Sequence, residues 1–138
     1  MSVARYEILE HTADVGIAAE GSTLTEVFEQ AALGLAAIIG IYAPGAGESI
    51  PIEVESSDPG ALLVDWLSEI LWLHDVRDAL IGRVAATDVT DTHASGRVTL
   101  VERAGRAIEG TQVKAITYHQ LEVRRAGSGW RAQVYVDV

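Results

Sequence analysis

Residues 6–40, YEILEHTADVGIAAEGSTLTEVFEQAALGLAAIIG, contain the changes of pattern that decide the fold. Tyr6 to Glu10 and Val15 to Glu20 are short, largely apolar runs, and a polar connection from His11 to Asp14 separates them. Short runs of this kind, divided by turn-forming residues, are typical of neighbouring strands. The sequence therefore predicts two strands joined by a turn or loop that carries His11 and Asp14.

After the second strand the spacing of apolar residues becomes helical. Thr23-Leu24-Thr25-Glu26 has the form of a capping box, in which the Thr23 hydroxyl and the Glu26 carboxylate each satisfy a free backbone N–H. Gly40 is a plausible end of the helix. The apolar stripe that this helix is expected to bury consists of Leu24, Val27, Phe28, Ala31, Leu35, Ile38 and Ile39.

The middle of the chain adds one strand and a second helix. Ser49 to Glu55 alternates between apolar and polar residues, and Pro51 favours an edge position for this strand because proline cannot donate to a ladder. Asp58 is a suitable N-cap, and Pro59 suits the first helical position. The buried stripe predicted for the second helix consists of Leu62, Leu63, Trp66, Leu67, Ile70, Leu71 and His74.

From Ala79 onward the pattern has a period of two. Four strands are predicted, at Leu80 to Thr90, Gly96 to Glu102, Gln112 to Arg124 and Gly129 to Asp137. Residues 126–129, Ala-Gly-Ser-Gly, make the last two strands a hairpin. The predicted fold is α+β: a single domain spanning residues 1–138, with two helices packed on one face of a mainly antiparallel sheet.

Composition narrows the function classes. The 138 residues include 10 Lys plus Arg against 20 Asp plus Glu, a formal net charge of −10, and no cysteine. Disulfides and thiolate metal sites are excluded, and strong direct binding of nucleic acid is disfavoured by charge. An acidic surface suits a hard cation or a basic protein partner. No signal-peptide or membrane-spanning segment is recognisable, so a cytoplasmic location is expected.

Carboxylates at two places in the chain are candidate metal ligands. Asp14 lies between two predicted strands, where an Asx-turn residue is the alternative interpretation. The Asp137 side chain and the Val138 α-carboxylate lie one residue apart and offer up to four oxygens to a hard cation such as Ca²⁺. If Asp14 lies opposite them, three anionic groups converge. The competing interpretation is a solvated acidic C-terminus.

Other polar residues have structural interpretations as well as functional ones. Asp65 and Glu69 are four residues apart on the second helix, either on its solvated face or at the margin of a cleft. Lys114 is the only lysine and lies on a predicted strand. His119 is expected to share a face with Thr117 as a hydrogen-bonded residue at the edge of the core. No two histidines have metal-binding spacing.

Four blocks together resemble the archease family: HTADVGIAAEGSTLTEVFEQAALGL at 11–35, LLVDWLSEILWLHD at 62–75, VKAITYHQLEV at 113–123 and WRAQVYVDV at 130–138. The resemblance covers both helices and the C-terminal part, and it is weakest at 79–110. Archeases are small α+β proteins that act as activators, or chaperones, of RtcB-type RNA ligases, and they are not enzymes themselves. The resemblance implies an accessory protein that promotes guanylylation of the ligase by GTP, and its multiple turnover, in tRNA splicing or RNA repair.

The resemblance also implies roles for particular residues. The family metal site, often occupied by calcium, corresponds here to Asp14, Asp137 and Val138, with Ca²⁺ or another divalent cation as the ligand. The family's functional lysine corresponds to Lys114, as a contact to the partner or to phosphate. Two other functions stay open: a small metal-dependent hydrolase that uses His11 or His119 as a base beside Asp14 and Asp137, and an acidic adaptor without a metal.

Overall fold

The computed structural model describes residues 3–10, 14–40, 47–103, 105 and 110–138. Over these residues the chain forms two helices and eight strands. The strands are β1 (Arg5–Glu10), β2 (Asp14–Gly21), β3 (Glu48–Glu55), β4 (Ala79–Val89), β5 (His93–Glu102), β6 (Ala115–Ile116), β7 (Glu122–Ala126) and β8 (Gly129–Asp137), and the helices are α1 (Leu24–Ile39) and α2 (Pro59–Arg77). The predicted α+β class is confirmed.

The strands are divided between two antiparallel sheets. One has the order β1-β2-β8-β6, and β7 pairs with β8 as well, while the other has the order β3-β5-β4. The prediction of a single sheet with both helices on one face is wrong on this point. The strands form two sheets, and each helix contacts strands of both. The apolar residues of the helices are therefore buried on more than one side.

The N-cap residues of both helices act as predicted. Thr23 Oγ1 accepts a hydrogen bond from the Glu26 N–H at 3.1 Å, and the Gly40 N–H closes α1. The Glu26 carboxylate accepts from the Ser22 N–H at 2.8 Å, one residue earlier than the capping box predicts. Asp58 Oδ1 accepts from the Ala61 N–H at 2.9 Å at the start of α2. Both predicted apolar stripes are buried throughout.

Strand predictions are confirmed at β3 and at the last hairpin, and wrong in one place. β3 is an edge strand and contains Pro51, as expected, and Ala126 pairs with Gly129 across a two-residue turn. The single strand predicted from Gln112 to Arg124 is interrupted between β6 and β7. There the Leu121 N–H donates to the Tyr118 carbonyl at 3.3 Å, and Gln120 has φ of 51°, as at the third position of a type II turn.

The core lies between the helices and the sheets. Trp66 of α2 is fully buried, and its Nε1–H donates to the Phe28 carbonyl of α1 at 3.0 Å. The free edge of β4 is covered by α1, whose Glu29 carboxylate accepts from the Ala86 N–H at 3.0 Å. A covered edge is protected against pairing with other chains. Neither helix described here has the length and apolar character needed to cross a bilayer.

Candidate functional site: an aspartate pair on neighbouring strands

The pairing of β2 with β8 places two candidate carboxylates opposite each other. Asp14, the first residue of β2, is the direct partner of Asp137, the last residue of β8. Ala115 of β6 pairs with Asp137 from the other side. Side chains of directly paired residues lie on the same face of an antiparallel sheet, with Cβ atoms about 4.5–5.5 Å apart. The structure therefore brings Asp14 and Asp137 together, which is what a metal site shared by these two carboxylates requires.

The aspartate pair lies on the sheet face that is turned away from the core. Val134 and Val136 of β8 are buried in the core at 1% and 0% exposure, so Asp137, which alternates with them, is directed to the other face. Asp137 is exposed and Asp14 is half-buried. Val138 is also half-buried and packs against the core. The side chain of Val138 therefore anchors the end of β8 next to the aspartate pair.

Tyr135 lies beside the aspartate pair and was not predicted from the sequence. Tyr135 is buried and pairs with Gly16. Gly16 lies two residues after Asp14, and Tyr135 lies two residues before Asp137. A Cβ atom at Gly16 would come within 2.8 Å of Tyr135 Cε2 and 3.0 Å of Leu9 Cβ. The aromatic ring thus fills the space above Gly16. The available signal is the two-residue spacing of Tyr135 and Asp137, which puts them on the same face of β8.

Lys114 is attached to the same end of β8. Its backbone N–H donates to the Asp137 carbonyl at 2.8 Å, which fixes Lys114 next to the aspartate pair. Its side chain is exposed, and none of the ion pairs found among the described residues includes it. This solvent-exposed lysine is therefore available to an anionic group brought by a partner.

His119 is placed differently from the prediction. It is exposed, because residues 117–121 form the connection between β6 and β7 and not a strand at the edge of the core. Its ring packs edge-on against Tyr135 with centroids 6.0 Å apart, and its backbone N–H donates to Thr117 Oγ1 at 3.2 Å. His11, the other histidine considered as a base, lies outside the described residues.

The remaining candidate residues have structural partners. Asp65 accepts a hydrogen bond from the Ser56 hydroxyl, which connects α2 to the end of β3. His74 is buried, with Nδ1 2.6 Å from the Ala79 carbonyl oxygen. Within the described ranges no group of three or more His, Cys, Asp or Glu side chains is arranged to hold a metal. The aspartate pair therefore provides two side-chain carboxylates, and further ligands would come from elsewhere.

The chemistry of this donor set matches a hard cation. Ca²⁺ takes oxygen ligands in flexible geometry, which is the donor type that the two carboxylates supply, whereas structural and catalytic zinc sites are built mainly from nitrogen or sulfur ligands. Two like charges directly opposite each other destabilise a sheet. A cation bound between Asp14 and Asp137 would remove this repulsion, so the residues present fit a calcium-like ion.

A third carboxylate on the same two strands shows how arginines neutralise such a charge. Glu20 of β2 is 3.0 Å from Arg5 Nε and 2.7 Å from Arg131 NH1. The hydrogen bond from Arg5, followed by the charges of Arg5 and Arg131, holds the pKa of Glu20 below its usual value despite partial burial. The described ion pairs give Asp137 no such cationic partner. The two ends of β8 thus differ sharply in charge compensation.

Known proteins resemble this chain over nearly its whole length. The archease from Methanosarcina acetivorans is 36% identical over 140 residues, covering 97% of this chain and 96% of that protein. The archease from Pyrococcus furiosus is 36% identical over 143 residues, covering 97% and 99%. Both comparisons therefore extend over almost the whole of this chain.

Solved structures give the same result at the level of the fold. The solution structure of Methanobacterium thermoautotrophicum protein 1598 has a TM-score of 0.82 and 31% identity, covering 96% of this chain and 98% of that one. The crystal structure of a Thermotoga maritima archease, described as a possible chaperone, has a TM-score of 0.63 at 21% identity, which shows the shared fold. Residues 6–138 match the Archease protein family (MTH1598/TM1083). The chain therefore belongs to the archease family.

Proposed function

We propose that this protein is a metal-binding accessory protein that activates an RtcB-type RNA ligase. It promotes the GTP-dependent guanylylation of the ligase and its multiple turnover, in tRNA splicing or RNA repair. The observation that carries the proposal is the direct pairing of Asp14 with Asp137, beside the exposed Lys114. Membership of the archease family supports it, as does the description of the Thermotoga relative as a possible chaperone.

The aspartate pair and the end of the chain form the proposed metal site. The carboxylates of Asp14 and Asp137 and the α-carboxylate of Val138 supply oxygen ligands for Ca²⁺ or another divalent cation. Asp137 is exposed, so a bound ion is accessible to a partner. An ion held by few protein ligands keeps coordination positions for oxygen atoms of another molecule. Phosphate oxygens at the ligase active site are suitable ligands for these positions.

Lys114 is proposed as the contact to the partner or to phosphate. Its ammonium group is a flexible point charge, and its backbone is bonded to Asp137. When the aspartate pair holds a cation, two positive charges lie side by side, the bound ion and the Lys114 ammonium group. Together they form a surface for anionic groups. We assign this surface to the guanylylation centre of the ligase.

The overall charge favours a protein partner. A net charge of −10 complements a basic RNA-binding cleft and accelerates association with it. The same charge opposes strong direct binding of RNA by this protein. We therefore assign the RNA substrate to the ligase, and place the single domain of residues 1–138 in the cytoplasm beside it.

A second candidate function is a small metal-dependent hydrolase. One observation favours it: His119 is exposed and packs on Tyr135. Tyr135 lies two residues before Asp137, on the same face of β8, so an imidazole base lies on the side of the proposed metal. Incubation of this protein alone with Ca²⁺, Mn²⁺ or Mg²⁺ and p-nitrophenyl phosphodiester or amide substrates tests this function. Turnover that depends on both Asp14 and His119 would support the hydrolase function in place of the accessory role.

The activating role is tested by single-turnover RNA joining. The RtcB-type ligase from the same organism is supplied with GTP, limiting metal and RNA ends, with and without a stoichiometric amount of this protein. The expected result is strong stimulation by the wild type and none by Asp14→Ala or Asp137→Ala. Glu7→Ala, an exposed acidic position on β1, is the control and should stimulate like the wild type. Full stimulation by folded Asp14→Ala would refute the role of the aspartate pair.

A further inference from the structure

A face of α2 exposes large apolar side chains that the core does not use. Trp72 is 55% exposed and Val76 is 57% exposed, although eight other large apolar residues of α2 are buried. The two residues are four positions apart, so their side chains are neighbours on the helix surface. An exposed tryptophan next to an exposed valine is an apolar patch of the kind that marks interaction sites. We call the surface formed by Glu69, Trp72, Asp75 and Val76 the α2 face.

The apolar patch is bordered by acidic groups. Glu69 and Asp75 are three positions before and after Trp72 and lie on the same side of the helix. Asp65 lies one turn before Glu69 and is bonded to Ser56. The next basic residue along the helix, Arg77, is 2.9 Å from Glu48 of β3 and so is already paired. No ion pair found among the described residues includes Glu69 or Asp75, so the α2 face combines a tryptophan with acidic groups.

This combination determines the chemistry of the occupant. Arginine or lysine side chains are attracted to the face of a tryptophan ring and to neighbouring carboxylates. A second copy of this chain would bring the same acidic groups against each other, and such like-charge contacts are unfavourable. Nucleic acid is disfavoured for the same reason. The complementary occupant is a protein surface that presents arginine or lysine.

We infer that the α2 face is a docking surface for a basic region of the partner protein, separate from the aspartate pair. Tryptophan is enriched among the residues that dominate interface energies, and the 55% of Trp72 that is exposed is apolar area that a partner can bury. The aspartate pair acts on the chemistry, whereas the α2 face supplies affinity. This inference rests on the proposed function, since the partner taken here is the RtcB-type ligase.

Binding and stimulation measured separately test the inference. Dissociation constants for the ligase are measured by calorimetry at about 0.1 M and 0.3 M salt. Trp72→Ala should weaken binding by about 30-fold, in the range of residues that dominate interfaces. Glu69→Lys should weaken binding by about tenfold and reduce its dependence on salt. At saturating concentrations both variants should stimulate the ligase fully, because Asp14 and Asp137 are unchanged.

Matched control variants separate the α2 face from general effects. Val3→Ala removes an apolar side chain that is 77% exposed, and Glu7→Lys makes the same charge change on β1. The strand β1 is at the sheet edge opposite β6 and β7, which α2 contacts. Both controls should bind within twofold of the wild type. Circular dichroism checks the fold of each variant, and Glu69→Lys decides the question if Trp72→Ala is unfolded.

Three results would overturn the inference. Binding of folded Trp72→Ala and Glu69→Lys within twofold of the wild type would remove the docking role while leaving Asp14-dependent stimulation intact. A dimer of the wild type that Trp72→Ala dissolves in sedimentation would assign the α2 face to a second copy. If the wild type neither binds nor stimulates the ligase, the proposed function and the docking surface are both overturned.

Discussion

Replacing Asp137 with Asn tests the aspartate pair as a metal site through stability alone. Asp137 is directly opposite Asp14, and two unit charges about 5–6 Å apart in watery surroundings repel by about 0.7–0.8 kcal/mol. Cross-strand side-chain pairs contribute about 0.2–1 kcal/mol, and like charges directly opposite each other are destabilising. Because Asn keeps the shape and removes the charge, Asp137→Asn should be more stable than the wild type by about 0.5 kcal/mol in EDTA.

Calcium should reverse this order. An ion at about 100 times its dissociation constant stabilises a one-site protein by about 2.7 kcal/mol. For a chain of 138 residues, 1 kcal/mol corresponds to about 3–5 °C in melting temperature. The wild type should therefore gain roughly 10 °C with saturating Ca²⁺. Asp137→Asn loses one anionic ligand and should gain less than half of that shift.

Thermal unfolding followed by circular dichroism, in EDTA and over a Ca²⁺ titration, measures both effects. The repulsion should shrink as salt rises from about 10 mM to 200 mM, since the pair is solvent-accessible. Asp91→Asn, an exposed aspartate in the turn between β4 and β5, is the matched control and should respond to Ca²⁺ like the wild type. The reasoning is refuted if Asp137→Asn is the less stable protein in EDTA or shows the full calcium shift.

Two further substitutions test the surroundings of the pair. Gly16→Ala places a Cβ 2.8 Å from Tyr135 Cε2, so urea unfolding should show a loss of about 1–3 kcal/mol, and the same substitution should cost less in a Tyr135→Ala background, where the close contact is absent; equal stability of Gly16→Ala and wild type would contradict the packing described. The pKa of Glu20 is lowered chiefly by the Arg5 hydrogen bond, so its stabilisation is present above the unfolded pKa of about 4.3 and is lost as pH falls through the lower folded value. Glu20→Gln should accordingly be less stable than wild type at pH 7 by under about 1 kcal/mol, with a difference that vanishes on acidification, and a difference that grows in acid would contradict this sign.

Local signals made much of the fold predictable. Thr23 and Asp58 cap their helices because each places an acceptor at an N-terminus, and this requirement depends only on nearby residues. The edge position of β3 follows from Pro51 in the same way. The strand register that pairs Asp14 with Asp137 is set by long-range contacts. From the sequence alone, their meeting could be stated only as a requirement of the metal site.

Features that depend on distant packing were not predictable. The interruption after β6 requires Gln120 at φ of 51°, a conformation that no glycine or proline signals there. The alternation of residues along β8 does not reveal that the Tyr135 ring covers Gly16. The strands form two sheets, and each helix contacts both of them. The periodicity of apolar residues along one helix cannot show such an arrangement.

Formation of the ligase–guanylate intermediate tests the central claim most directly. The ligase is incubated with radiolabelled GTP and limiting divalent metal, alone, with wild-type protein, or with the Asp14→Asn/Asp137→Asn double variant shown to be folded and to bind the ligase. The account predicts that the wild type accelerates labelling of the ligase strongly and that the double variant leaves it at the rate of the ligase alone. Acceleration by the double variant equal to that of the wild type would contradict the claim that the aspartate pair activates the ligase.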